Sequence, residues 1–245
     1  MNFGKPFTFV FDDPDWLKKL AMFALLGFAS LIPGIGTLFM ALVFYGVTID
    51  IMRKVINKET PTLPALDIGK QFMDGLKMWV INLVYSLPML VFGIIITIVI
   101  VIGTAGGFIA MDGDNAGAVG AVAVIVWIIV ACVGLLMVLY GLLIALITPE
   151  IYARYALFGT IKDALKFKEV FKTVFKKPVP YLLSFVGVVL VGIVGAFASS
   201  ILASIGAIAL GIGALYGVAL AMIYMMLGYG HFYGQAHNLA TEETI

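Results

Sequence analysis

Few side chains in this sequence could do chemistry, and their spacing restricts what that chemistry could be. His231 and His237 are the only two histidines. Helical spacing turns them about 240° from each other around the axis, so one metal ion cannot face both. They read as packed or interfacial residues. Asp50 stands inside an apolar run, where an ionised acid is costly and is usually paired or functional. Arg53 and Lys54 lie within about one helical turn of it and are its nearest candidate partners. Glu150 and Arg154 repeat that arrangement at i,i+4. Asp50, Arg53, Glu150 and Arg154 are therefore the candidate intramembrane polar pairs. Asp112 and Asp114 have no glutamate or further oxygen ligand in register and read as an ordinary loop, against a weak calcium site. Cys132 is the single cysteine, so there is no intrachain disulfide. The chain contains no P-loop, Gly-x-Ser-x-Gly, Cys-x-x-Cys or His-Glu-x-x-His pattern and no nucleic-acid module. No catalytic, cofactor-binding or metal residue is assigned, and a non-enzymatic role is expected.

Two further patterns concern surfaces. Lys162, Lys166, Lys168, Lys172, Lys176 and Lys177 alternate with Phe167, Val170, Phe171, Val174 and Phe175. From Lys166 onward the apolar set falls on one helical face and the lysines on the other. A segment of this kind lies in a bilayer interface. Lys166, Lys168, Lys172, Lys176 and Lys177 are its candidate anionic-lipid contacts, although the same lysines could serve as a topology signal alone. Gly192, Ala196, Ser200 and Ser204 repeat at every fourth position, beside Gly195, Ser199, Ala203, Ala207 and Gly211; Gly213 and Gly217 follow. Small residues so spaced let two helix backbones approach closely. They are candidate packing positions between the last two helices, or a homo-oligomer face.

The elements that hold these residues must be membrane helices. The chain is 62% hydrophobic and 12% charged, with a mean hydropathy of +1.12, whereas soluble domains carry about 25% charged residues. Several runs exceed the roughly 18 apolar residues that mark a crossing helix. The expected fold is an all-α integral membrane protein: six transmembrane helices as three hairpins, joined by two cytoplasmic amphipathic interfacial helices. It is read as one membrane domain, with hairpin one at 14–57, a connector at 58–77 and hairpin two at 78–157. A second connector at 158–177, hairpin three at 178–238 and a tail at 239–245 complete it. Asp13-Pro14 supplies an expected N-cap and first helical residue. The first helix, about 27 Å long, barely crosses a ~30 Å hydrocarbon core. Either the hairpin spans, or its Pro33-Gly34-Ile35-Gly36 tip is a re-entrant turn shielded by protein. With no small-x-small cleavage site, that helix is expected to remain as an anchor. The Gly/Ala/Asp stretch at 103–120 reads as a loop, and Pro149 is expected to kink the fourth helix.

All 15 basic residues precede helix one or lie between helices two and three or four and five. The positive-inside rule then places both termini and both connectors in the cytoplasm of a multi-pass cell-membrane protein. Trp16, Trp79, Tyr152, Tyr155 and Tyr181 form the expected aromatic belt at that interface. Arg53 and Arg154 are separated by nearly the same offset as Phe72 and Phe171. This reads as a parallel internal repeat of hairpin, basic exit and connector, or as the shared grammar of hairpins; Tyr229-Gly230 … His237 faintly echoes it.

Asp13-Pro14-x-Trp16-x-Lys18, Leu31-Ile32-Pro33-x-Ile35-Gly36, Tyr45-Gly46, Arg53, Leu63-Pro64 and Phe72-x-Asp74-Gly75-Leu76-Lys77 together resemble one family. It is the archaeal and bacterial membrane proteins grouped as domain of unknown function 4013. The closing Gly230-His231-x-Tyr233-Gly234-Gln235-Ala236 is similar to that family too, while Ala65 stands where an aromatic is expected after Leu-Pro. The resemblance implies a multi-pass prokaryotic membrane protein and carries no activity or functional residues with it.

The resulting expectation is a structural component that contacts the lipid bilayer, anionic lipid, or a partner in a homo-oligomer or membrane complex. The alternative, motivated by the repeat and by Asp50, is a small-solute transporter or channel with a polar cavity reaching Asp50 or Glu150.

Overall fold

The computed structural model describes residues 1–60, 62–111, 116–208 and 212–242. Asp112, Asp114 and Gly211 lie outside them. Helix is the only extended regular structure among the described residues. The order is α1 (Lys5–Thr8), a 3-10 turn, α2 (Trp16–Leu25), a 3-10 stretch (Leu26–Leu31) and α3 (Ile35–Ile56). There follow α4 (Ile68–Met111), α5 (Ala116–Phe158), α6 (Ile161–Ala164), α7 (Phe167–Lys176), α8 (Pro178–Ile208) and α9 (Ile212–Thr241). Five of these, α3, α4, α5, α8 and α9, are long and apolar enough to cross a bilayer. This is the make-up of an all-helical membrane protein.

The chain folds as two compact units. The first holds Met1–Ile81 and Leu146–Ile245. Its core joins Phe9 and Val10, Leu20 and Phe23 of α2, four residues of α3 and three of α9 to Leu63 of the connector. α3 is the most enclosed span, with 67% of its most apolar stretch buried. Backbones come very close around it. A Cβ on Gly75 of α4 would meet the Leu42 carbonyl oxygen at 1.7 Å, and one on Gly46 of α3 would meet the Gln71 carbonyl oxygen at 2.0 Å. Glycine at both positions lets the first turns of α4 lie directly on α3. The second unit, Asn82–Ala145, contains parts of α4 and α5. Val126 packs over Gly103, and the Tyr140 hydroxyl donates to the Tyr85 carbonyl at 2.7 Å. Its outward face is apolar, with Trp127 70% exposed, as suits helices whose solvent is hydrocarbon.

Several boundaries differ from the sequence expectation, each for a local reason. The first arm is not one straight helix: α2 ends at Leu25 and the chain tightens to 3-10 geometry until Leu31. Gly27 is a weak helix former and sits where a Cβ would come 2.5 Å from the Leu215 carbonyl oxygen of α9. The tip reverses at Gly34, whose φ of 76° needs glycine. This arm is not among the five candidate spans, and its 3-10 backbone packs against α3 and α9. α2 begins at Trp16, so Asp13 is not its N-cap. The first connector holds no separate interfacial helix, because its helical part runs unbroken into α4. The second does hold a separate helix, α7, since Pro178 and Pro180 lack backbone N–H groups and follow a non-helical Lys177 that ends it. Helix extends to Met111 and resumes at Ala116 where a longer loop was expected, and α5 continues through Pro149. α5 stops at Gly159, whose φ of 68° is the left-handed helix terminator.

Gly75→Ala should force α3 and α4 apart at a cost of about 1–3 kcal/mol or more, lowering the Tm in detergent by several degrees. Gly93→Ala, where nothing lies within 4 Å, should leave the Tm unchanged or slightly raised. Thermal unfolding of the two variants side by side checks both.

Candidate functional site

The polar residues of the first unit gather into two assemblies around the ends of α3, α5 and α9. Arg53, in the last turn of α3, is the centre of the first. Its Nη1 donates to Asp74 at 2.7 Å and to Asp50 at 3.3 Å, and its Nε donates to the Ala156 carbonyl at 3.2 Å. Asp74 accepts a second bond from the Tyr155 hydroxyl at 2.7 Å. Asp50 accepts from Lys70 at 2.6 Å and Gln71 at 3.4 Å. Both acids are 8% exposed. Two carboxylates thus face two cations, and the glycine contact between α3 and α4 brings them together.

Glu150 anchors the second assembly and is 1% exposed. Its Oε2 accepts the Tyr181 hydroxyl at 2.7 Å and shares a hydrogen bond with His237 Nδ1 at 2.9 Å. Arg154 Nη1 lies 3.8 Å from its other oxygen. Arg154 also pairs with Glu169 of α7 and donates from Nε to the Asp163 carbonyl at 3.1 Å. The α5 segment from Glu150 to Ala156 therefore serves both assemblies. Each arginine follows one pattern: Nε on a backbone carbonyl, and Nη groups on acids of its own helix and a following one.

A third fastening ties the N-terminal segment to the connector. Asp13 accepts from Lys19 at 2.7 Å and from the Leu63 N–H at 3.0 Å, and Lys19 donates to the Leu63 carbonyl at 3.2 Å. Both backbone groups of Leu63 are held by one ion pair. Burial of Asp13 by itself favours the neutral acid, but the Lys19 ammonium and the N–H groups of Asp15 and Leu63 outweigh it. They hold the carboxyl below its usual value.

A family model matches residues 25–204. The chain belongs to the family described as Protein of unknown function (DUF4013). No curated protein and no solved structure matches it. In this DUF4013 chain Arg53, Asp74, Glu150, Arg154, Tyr155 and Tyr181 fall inside the matched residues, whereas Asp13, Lys19 and His237 fall outside them.

The remaining sequence-selected residues separate. His231 is buried against Phe9 and meets Gln235 at 2.9 Å, apart from His237 and its acid. Among the described residues no three of His, Cys, Asp and Glu gather as a metal site needs. On α7, Val170 and Val174 are buried, while Lys166, Lys168, Lys172 and Lys176 are exposed; Lys166 pairs with Asp163 at 2.7 Å. The small-residue stripe of Ala196, Ser200 and Ser204 is exposed, and the two serine hydroxyls bond carbonyls of their own helix. The face of α8 against α9 is the neighbouring one: Gly195 under Met225, Leu202 at Gly217, and Gly206 at Gly213, with Gly192 beside the Tyr229 hydroxyl.

Sequence reasoning passed over Asp74, Tyr155, Tyr181 and Gln71. Tyr152, Tyr155 and Tyr181 are not an aromatic belt: all three are buried, and two of them donate to acids. A tyrosine is amphipathic whether its hydroxyl meets a headgroup or a buried carboxylate, so its type alone did not separate the two. Among the described residues, the acids of both assemblies accept from donors of their own unit. That chemistry fastens helix ends.

Arg53→Met should be the more damaging variant, at about 3–5 kcal/mol, because it leaves buried Asp74 without its cation while Asp50 keeps Lys70. Tyr155→Phe should cost about 1–3 kcal/mol, since Asp74 keeps Arg53. Unfolding in mild detergent should reproduce that order. For Asp13 the lowered folded value means stability is present above about pH 4, the unfolded value, and is lost as pH falls through the folded one. Asp13→Asn should flatten that acid limb in a pH series of Tm values.

Proposed function

We propose that this DUF4013 chain is a non-enzymatic multi-pass component of the cell membrane that holds a basic interfacial helix, α7, against anionic lipid. The observation that carries the reading is the division of α7 into three faces. Val170 and Val174 are buried in the protein. Phe167 and Phe175 are 44% and 55% exposed, with Phe171 stacked on Phe175 at 5.9 Å. Lys168, Lys172 and Lys176 form an exposed row beside that aromatic row. Exposed aromatics next to exposed lysines suit a helix lying at the level of lipid headgroups.

The orientation that accompanies this reading has both termini and the α7 side in the cytoplasm. It is supported by the basic residues, all of which belong to the first unit. The first arm with α3, α4 with α5, and α8 with α9 would form three hairpins, six inserted segments in all. The shielding of the 3-10 stretch by α3 and α9 supports insertion of the first arm. A hollow of about 370 Å³ touching Asp50, Arg53, Lys54, Asp67 and Lys70 favours a second reading, solute transport. It is the weaker one, because Lys70, Arg53 and Gln71 already occupy the Asp50 carboxylate.

Replacing Lys166, Lys168, Lys172, Lys176 and Lys177 together with Gln should sharply reduce the anionic lipid retained on purification, each lysine contributing about 1 kcal/mol, or roughly fivefold. Lipid analysis of the purified variant is the measurement. Retention equal to that of the unaltered protein would sink the lipid reading.

A further inference from the structure

The lysines of α7 do not all face the same surroundings. Lys172, Lys176 and Lys177, together with Arg154 of α5 and the last turn of α9, enclose a hollow of about 300 Å³. Glu169 is the one acid among the described residues that line it, and Arg154 is bound to that acid and to Glu150. The ends of α7 and α9 each bring about half a negative charge of helix dipole. Even with Lys177 counted as engaged, Lys172 and Lys176 outweigh those two ends, and the described lining is net positive. Glu242, just past the end of α9, pairs with Lys58 at 2.7 Å. The two hydroxyls that line it, Thr173 and Thr241, donate to backbone carbonyls of their own helices, so ammonium groups are its donors.

We infer that this hollow is a binding site for a phosphate group. Ammonium groups recognise phosphate as point charges, and a phosphate oxygen set can meet several of them at once. The volume is at the small end of ligand pockets, which run from about 300 to 1,000 Å³. That suits a single phosphate better than a bulky head. The group could arrive as free phosphate or as the phosphomonoester head of a lipid whose chains lie along the exposed Phe167 and Phe175. The inference rests on the reading of α7 as an anion-facing helix and narrows it to Lys172, Lys176 and one hollow.

The test is calorimetric titration of the full chain in zwitterionic detergent, with inorganic phosphate in one arm and short-chain phosphatidic acid in the other. Saturable binding of either probe is expected; phosphate alone sufficing identifies a free anion site, and saturation only by phosphatidic acid identifies a lipid-head site. Lys172→Gln with Lys176→Gln should weaken binding by about tenfold or more. Lys18→Gln with Lys162→Gln, exposed lysines outside both the hollow and the lipid-facing set, should change it by less than about twofold, and Lys172→Arg with Lys176→Arg should retain it. If the glutamine pair at the hollow does not purify folded, the unaltered protein decides: phosphate must saturate where chloride of equal ionic strength does not. Equal losses from both glutamine pairs, no saturation by either probe, or parity with chloride would overturn the site. Any of these outcomes, with anionic-lipid retention still reduced in the five-lysine variant, would leave the broader lipid attraction of α7 standing.

Discussion

A half-buried guanidinium in an apolar bundle must be surrounded by acceptors, and Arg53 meets that demand by holding three stretches of chain together. It bonds Asp50 on its own helix, Asp74 on α4 and the Ala156 carbonyl on α5. Asp74, once buried, needs a second donor, and Tyr155 supplies it. With Tyr155 fixed on one side of α5, its neighbour Arg154 is directed to Glu150 and to α7. Glu150 in turn takes Tyr181 of α8 and His237 of α9. A buried ion pair is poor evidence of net stability against an apolar replacement, yet losing one partner is costly. The network's main effect is therefore on which helix ends meet.

Close backbone approach is the other condition, and glycine provides it. Asp74 of α4 reaches Arg53 because Gly46 and Gly75 let α3 and α4 touch main chain to main chain. α9 also lies close to α3 at Gly230, where a Cβ would come 2.5 Å from the Thr48 carbonyl oxygen. Polar fastening and apolar packing thus occur at the same helix crossings. In a chain with so few charges there is little freedom to place them elsewhere.

The two connectors differ for a reason written in a few residues. After Lys77 come Met78 and Trp79, which continue the helix, so the first connector becomes the opening turns of α4. After Lys177 come Pro178 and Pro180, which cannot continue it from α7, so the second connector keeps a separate helix. That separation gives α7 its own set of faces, one packed on the protein, one aromatic and one basic. It also places three lysines next to the end of α9.

The sequence by itself determined the membrane class, the family, the longest spans, the basic residues' segregation and the acids that need partners. Hydropathy, charge placement and helical spacing are local properties, and they survive without knowledge of the fold. Only the tertiary structure decided which partners those acids take. Asp50 prefers Lys70 of α4 in addition to Arg53, and Glu150 sits deeper than its i,i+4 arginine implied, held by Tyr181 and His237 from far along the chain. Asp74, Tyr155 and Tyr181 were invisible as site residues because an exposed and a buried polar group have the same one-dimensional spacing. The packing stripe of α8 shifted to the adjacent row for a like reason: small residues occur on two faces of that helix, and only contact with α9 selects between them. The hollow beside Lys172 and Lys176 belongs to the same class, since it exists only where α5, α7 and α9 converge.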